Sequence, residues 1–156
     1  LREENFSKKT TYSLKTNADI SAKACSENGY AQIIFKACVI TSNLVGIYNA
    51  YNILAALTIG LHFGVKIKKI KEAIENYIPS NNRSQILKTQ TNTLILDCYN
   101  ANPSSCSSAV EAFANMQANR KMVFMGAMKE LGEVSQKEHE NILSQIKSKN
   151  FERILN

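Results

Sequence analysis

Several motifs are missing from these 156 residues, and each absence narrows what the chain can do. There is no G-x-x-x-x-G-K-[ST] phosphate loop, so the chain is not a self-sufficient ATPase of that kind. The four cysteines, Cys25, Cys38, Cys98 and Cys106, form no C-x-x-C pair and are not spaced from His62 or His139 as zinc ligands would be. They read as reduced thiols of a cytoplasmic protein, with no metal site expected. The most apolar stretch, residues 53–65, is too short to span a bilayer and contains His62, so no membrane partner is expected. The net charge of +6 is scattered apart from Lys66, Lys68, Lys69 and Lys71. That group reads as the solvated face of a helix, and with no aromatic interleaving or RNA-binding motif no nucleic-acid partner is expected. The opening L-R-E-E-N-F-S-K-K does not read as a signal peptide and lacks an initiator Met, while the closing F-E-R-I-L-N reads as a strand that starts and is cut. A fragment is the expectation.

What is present suffices for a core, at 44% hydrophobic residues. Residues 1–45 mix short β-like runs, at 12–14 and 31–40, with Asn28-Gly29 as a turn signal between them. Gly46 then precedes a helical pattern in which Ile53, Leu57 and Leu61 recur on one face, and Gly64 stops it. Residues 65–77 predict a second helix with Ile67, Ile70, Ile74 and Tyr77 inward, ended by Pro79. Residues 79–84 read as an interdomain hinge.

Beyond the hinge the order changes. Residues 85–88 and 93–97 predict a strand pair turning at Thr91-Asn92. Asn102 can cap the next helix with Pro103 at its favoured first position, and Ala109, Val110, Phe113 and Met116 form the inward stripe. Residues 121–125 predict a strand. Ser135-Gln136-Lys137-Glu138 fits a capping box opening a helix that buries Ile142, Leu143 and Ile146, and residues 151–155 begin another strand. Strands alternating with helices predict an α/β fold with a parallel, Rossmann-like sheet.

The chemistry-bearing residues gather after the run Leu94-Ile95-Leu96, where Asp97, Tyr99, Asn100 and Asn102 lie between a strand end and a helix start. Open α/β sheets bind ligands outside the carboxyl ends of their strands. Asp97 can take ribose hydroxyls or, as the weaker alternative, a metal, and Asn100 and Asn102 can hydrogen-bond a peptide-like substrate, although capping alone explains Asn102. Asn49 and Asn52, three apart, share a helix face where two carboxamides can read a purine edge; simple capping by Asn49 is the alternative. Arg83 in the hinge can grip a phosphate bidentately or form a surface ion pair. Glu130 is the acid of a second loop after a strand, and His62 and His139 are expected to serve packing or to be exposed.

Four stretches together resemble the Mur ligase family: L-V-G-I-Y-N-A-Y-N-I-L-A-A, I-P-S-N-N-R-S-Q, D-C-Y-N-A-N-P-S-S and G-A-M-K-E-L-G-E-V-S. Their order and separations fit over nearly the whole chain. D-x-Y-N-A-N-P followed by G-x-M-x-E-L-G resembles the members that add D-Ala-D-Ala to UDP-MurNAc-tripeptide in making peptidoglycan precursors.

The resemblance implies a cytoplasmic three-domain enzyme, monomeric at full length. Residues 1–78 would close its central ATP-binding domain, 79–84 form the hinge, and 85–156 begin a truncated Rossmann-like C-terminal domain. It implies ATP and Mg2+, with the Mg2+ ligands in the missing part, and phosphorylation of the tripeptide carboxylate before attack by the dipeptide amine. Asn49 and Asn52 would meet the adenine, Arg83 the phosphates and Asp97 the ribose. Tyr99, Asn100 and Asn102 would form the dipeptide side of the cleft. Two positions depart from the family pattern: Ala127 stands where Asp is usual, and Tyr48 where many members have His. The chain alone is expected not to ligate. A related ligase such as folylpolyglutamate synthase is opposed by Y-N-A-N-P, and the competing class is a non-catalytic α/β binding module.

Overall fold

The computed structural model describes residues 9–15, 17–149 and 151–155. Two short parallel strands, β1 (Tyr12–Ser13) and β2 (Ile20–Ser21), lead into an antiparallel meander of β3 (Lys23–Glu27), β4 (Tyr30–Phe35) and β5 (Cys38–Ile40). Asn28 and Gly29 both take positive φ, 51° and 86°, which gives the β3–β4 loop the backbone twist that suits a two-residue hairpin. The run expected at 31–40 is two strands instead of one. Lys36 adopts a φ of 54° and turns the chain back, so that Phe35 pairs with Cys38.

A 3-10 turn at Ile47–Asn49 opens α1 (Ala50–His62), and α2 (Ile67–Asn76) follows. Gly60 lets the two helices meet closely, since a β-carbon there would lie 2.8 Å from Ile70 Cδ1. α1 lays Ile53, Leu54 and Leu57 against Ile33, Phe35 and Ile40 of the meander, and Ile70 of α2 completes this first core. Tyr77 is not inward as expected. The helix stops at Asn76, and Tyr77 is extended and half exposed.

After residues 79–84 comes an antiparallel hairpin, β6 (Gln85–Lys88) and β7 (Thr93–Leu96), whose turn is closed by Thr89 and Asn92. α3 (Pro103–Ala114), β8 (Met122–Phe124), α4 (Ser135–Lys147) and β9 (Arg153–Leu155) follow, with β8 and β9 parallel. The α/β character and the parallel β8–β9 pair match the expectation. Among the described residues, however, the β6–β7 hairpin shares no ladder with β8 and β9, so the sheet is in two parts. The second core gathers Cys106 and Val110 from α3, Met128 from the loop after β8, and Ile142 and Ile146 from α4. No residue of the β6–β7 hairpin belongs to either buried cluster.

The capping box expected at Ser135 is absent. A 3-10 turn at Gly132–Val134 runs straight into α4, so Val134 holds the cap position and Ser135 is already helical. The C-terminal end of α3 is capped by a distant side chain. Lys121 Nζ donates to the Ala114 carbonyl at 2.6 Å, an oxygen the helix leaves open, and to the Met116 carbonyl just beyond the helix at 3.2 Å.

Candidate functional site

The site is built where the start of α1, residues 82–84 and the end of β7 meet. Residues 82–84 are shaped by positive φ at Asn82 (56°) and Ser84 (48°), and the Cys98 amide donates to the Asn82 carbonyl at 2.9 Å. That bond ties the segment to the residues just after β7. The Ser84 amide donates to Asp97 Oδ1 at 3.1 Å, and Ser84 itself is buried. From α1's side, the Tyr48 hydroxyl reaches Ser84 Oγ at 3.2 Å and donates to Asp97 Oδ2 at 3.5 Å. Asp97 is exposed, so the carboxylate keeps acceptor sites toward solvent while two of its contacts fix its direction.

Burial pushes the Tyr48 hydroxyl above the ordinary tyrosine value, and the neighbouring Asp97 charge pushes the same way against the Ser84 bond. The hydroxyl is therefore held protonated, as a donor. Burial likewise pushes the Cys106 thiol up, with Asp97 contributing, which keeps this core cysteine a neutral apolar group.

Asn49 and Asn52 sit together as their spacing predicts. Asn49 is buried; its amide donates to the Val45 carbonyl at 2.7 Å, and its oxygen accepts from Asn52 Nδ2 at 2.8 Å. Asn49 occupies the cap position of α1 without a side-chain cap bond, so its carboxamide serves to hold Asn52, and Asn52 is the exposed member. Arg83 is exposed, and its guanidinium lies 3.9 Å from the centre of the Tyr99 ring, a cation–π stack between the 82–84 segment and the residues just after β7.

Asn102 caps α3: its Oδ1 accepts from the Ser105 amide at 2.9 Å and from Ser104 Oγ at 2.8 Å, and Ser105 Oγ receives the Asn102 amide in return. Only its NH2 remains for any ligand. Asn100 is exposed in the turn between.

The second loop, residues 126–132, is held from beneath. His139 Nε2 accepts the Met128 amide at 2.8 Å, and Nδ1 lies 2.7 Å from the Ser135 carbonyl, which fixes the proton on Nδ1. A cavity of about 160 Å3 lies between Gly126, Ala127, His139 and Ile142 and is mostly apolar. Glu130 is exposed at a φ of 63°. Among the described residues no three or more His, Cys, Asp or Glu side chains are grouped to hold a metal ion.

Sequence reasoning missed Ser84 altogether, noted Tyr48 only as a departure, and gave His139 no particular task. For Ser84 no local signal exists, because its position depends on a backbone conformation that serine rarely adopts. For His139 the signal was available in the i, i+4 spacing from Ser135.

Residues 82–155 match the family described as Mur ligase, glutamate ligase domain. The chain is 31% identical, over 109 residues, to the UDP-N-acetylmuramoyl-tripeptide–D-alanyl-D-alanine ligase of Treponema pallidum, a match covering 70% of this chain and 24% of that protein. The fold matches a crystal structure of MurF from Acinetobacter baumannii with a TM-score of 0.79 at 23% identity, covering 93% of this chain and 32% of that one. It also matches the MurF ligase of Thermotoga maritima in complex with ADP, with a TM-score of 0.73 at 21% identity, covering 90% and 34%. The chain thus spans about a quarter of that curated relative's length and about a third of each of those two structures.

Proposed function

We infer, for a chain that carries a Mur ligase C-terminal domain over residues 82–155, that it is the closing part of an ATP-dependent ligase adding D-Ala-D-Ala to UDP-MurNAc-tripeptide. The observation that supports this most is the joining of Asp97 to Tyr48, since it ties the β7 end to the residue that directly precedes the Asn49–Asn52 pair. A carboxylate suited to ribose hydroxyls and a carboxamide suited to a purine edge then share one surface. In this reading residues 1–78 belong to the central ATP-binding domain, 79–84 are the hinge and 85–156 belong to the C-terminal domain.

Each side chain has a task that follows from its surroundings. Asn52, oriented by Asn49, meets the adenine, and Asp97 accepts from the ribose. Arg83 leaves the Tyr99 ring to reach the phosphates, where a planar guanidinium binds oxygens in pairs. Tyr99, Asn100 and the NH2 of Asn102 line the dipeptide side. The reaction itself transfers the γ-phosphoryl of ATP to the tripeptide carboxylate. The dipeptide amine then attacks the acyl phosphate, releasing phosphate and forming the amide. Apart from Arg83, the groups that grip the β- and γ-phosphates and those that hold Mg2+ belong to parts of the enzyme beyond this chain. The isolated chain should therefore not ligate.

The test is binding of candidate amine substrates in the presence of ADP, followed by calorimetry. D-Ala-D-Ala should bind and L-Ala and diaminopimelate should not. Preference for either of the latter would assign the chain to a different ligase of the family.

A further inference from the structure

We propose that the Tyr48 hydroxyl is a positioning group: it ties the Asp97 carboxylate to the start of α1 through Ser84, so that β7 and α1 present one preformed surface to a nucleoside. The nucleoside half of this statement rests on the reading above; the tie itself does not.

Three features carry it. The first is that the Tyr48 ring has a fixed seat. It lies across Gly46, where a β-carbon would fall 2.2 Å from Tyr48 Cε1, and Gly46 has a φ of 91° that other residues rarely adopt. The second is that the hydroxyl spans residues far apart in sequence, reaching Ser84 Oγ at 3.2 Å and Asp97 Oδ2 at 3.5 Å. The bond polarities run in one direction. Asp97 can only accept, so Tyr48 donates to it, and Ser84 Oγ is left to donate to Tyr48. The third is that Ser84 is engaged from both sides, its amide on Asp97 and its hydroxyl on Tyr48, within a segment held by the Cys98–Asn82 bond. Removing the hydroxyl leaves Ser84 Oγ and Asp97 Oδ2 each short of a partner, at a junction whose residues Tyr48, Ser84 and Asp97 belong to neither hydrophobic core. The carboxylate would then swing on its remaining Ser84 amide bond.

Tyr48→Phe keeps the ring over Gly46 and deletes only the hydroxyl. In the free chain, amide hydrogen exchange at Ser84 should accelerate about fivefold in this variant, the loss of roughly one hydrogen bond, while exchange at Leu57 in the core is unchanged. In the native chain 2′,3′-dideoxy-ATP should bind more weakly than ATP. The substitution should weaken ATP about fivefold and leave the dideoxy analogue unaffected, because only ATP uses the positioned carboxylate. Unchanged Ser84 exchange in Tyr48→Phe overturns the proposal. So does an equal loss for both nucleotides, which would mean that the hydroxyl does not act through Asp97. A native chain that binds neither nucleotide contradicts the nucleotide reading, and the exchange experiment still decides the tie.

Discussion

His139 accepts the Met128 amide hydrogen at 2.8 Å and thereby fastens the loop after β8 to the second turn of α4. Met128 is itself buried in the second core, so the bond fixes both the backbone of the loop and the side chain that seals it. His139→Phe retains bulk but leaves the Met128 amide without an acceptor. The variant should lose about 1–3 kcal/mol of stability in urea denaturation, the cost of a buried donor left unpaired, with Met128 exchange rising first. Unaltered Met128 exchange would show that the loop is held by packing alone.

Gly46 carries a sharper constraint. Its backbone conformation and the Tyr48 ring over it both exclude a side chain. Gly46→Ala should cost at least about 1–3 kcal/mol from the backbone alone. It should also displace Tyr48, so that Ser84 exchange accelerates as it does in Tyr48→Phe. Native stability in this variant would contradict the account of the α1 start.

In the last turn of α2, Glu75 accepts from the Thr41 amide at 3.2 Å and the Thr41 hydroxyl at 2.9 Å, and pairs with Lys71 at 3.3 Å. Burial pushes its carboxyl up, but the Thr41 bonds and Lys71 outweigh that and hold it below the ordinary glutamate value of 4.5. A carboxyl depressed in the folded state contributes stability that is present above its unfolded value and lost as pH falls through the folded one. Thermal unfolding measured downward from pH 5 should therefore show a fall in melting temperature that Glu75→Gln flattens. An equal slope in both proteins would remove Glu75 from the acid transition.

Asn102 spends its oxygen on capping α3, so its substitutions should separate by capping power. Asn102→Ala should cost about 1 kcal/mol, whereas Asn102→Ser should cost little, in urea denaturation. Equal losses would show that something other than the cap is at stake.

The parts of the fold that were legible in the sequence are those decided by neighbours along the chain. Asn102-Pro103 marks a helix start because an amide oxygen and a fixed φ act within one turn, and Asn28-Gly29 marks a hairpin because both residues tolerate positive φ. Where distant contacts decide, the same reasoning failed. Ser135 satisfies the capping pattern, yet the loop anchored on His139 enters α4 as a continuous helical turn and moves the cap to Val134. Lys36 reverses the chain between β4 and β5 with no Gly or Asn to announce it. Of the site, Asp97, Asn52 and Arg83 could be singled out from residue type and place. Their union through Tyr48 and Ser84 could not, because it depends on side chains 36 positions apart meeting over a glycine.

In the proposed reading Asp97 anchors a nucleotide where the β7 end meets the start of α1. A thermal-shift titration of the chain with ATP and Mg2+, then with D-Ala-D-Ala, tests it most directly when run beside Asp97→Ala. Melting temperature should rise with nucleotide in the native chain, and Asp97→Ala should abolish that rise while remaining folded. An equal rise in both proteins, or none in a well-folded native chain, would contradict it.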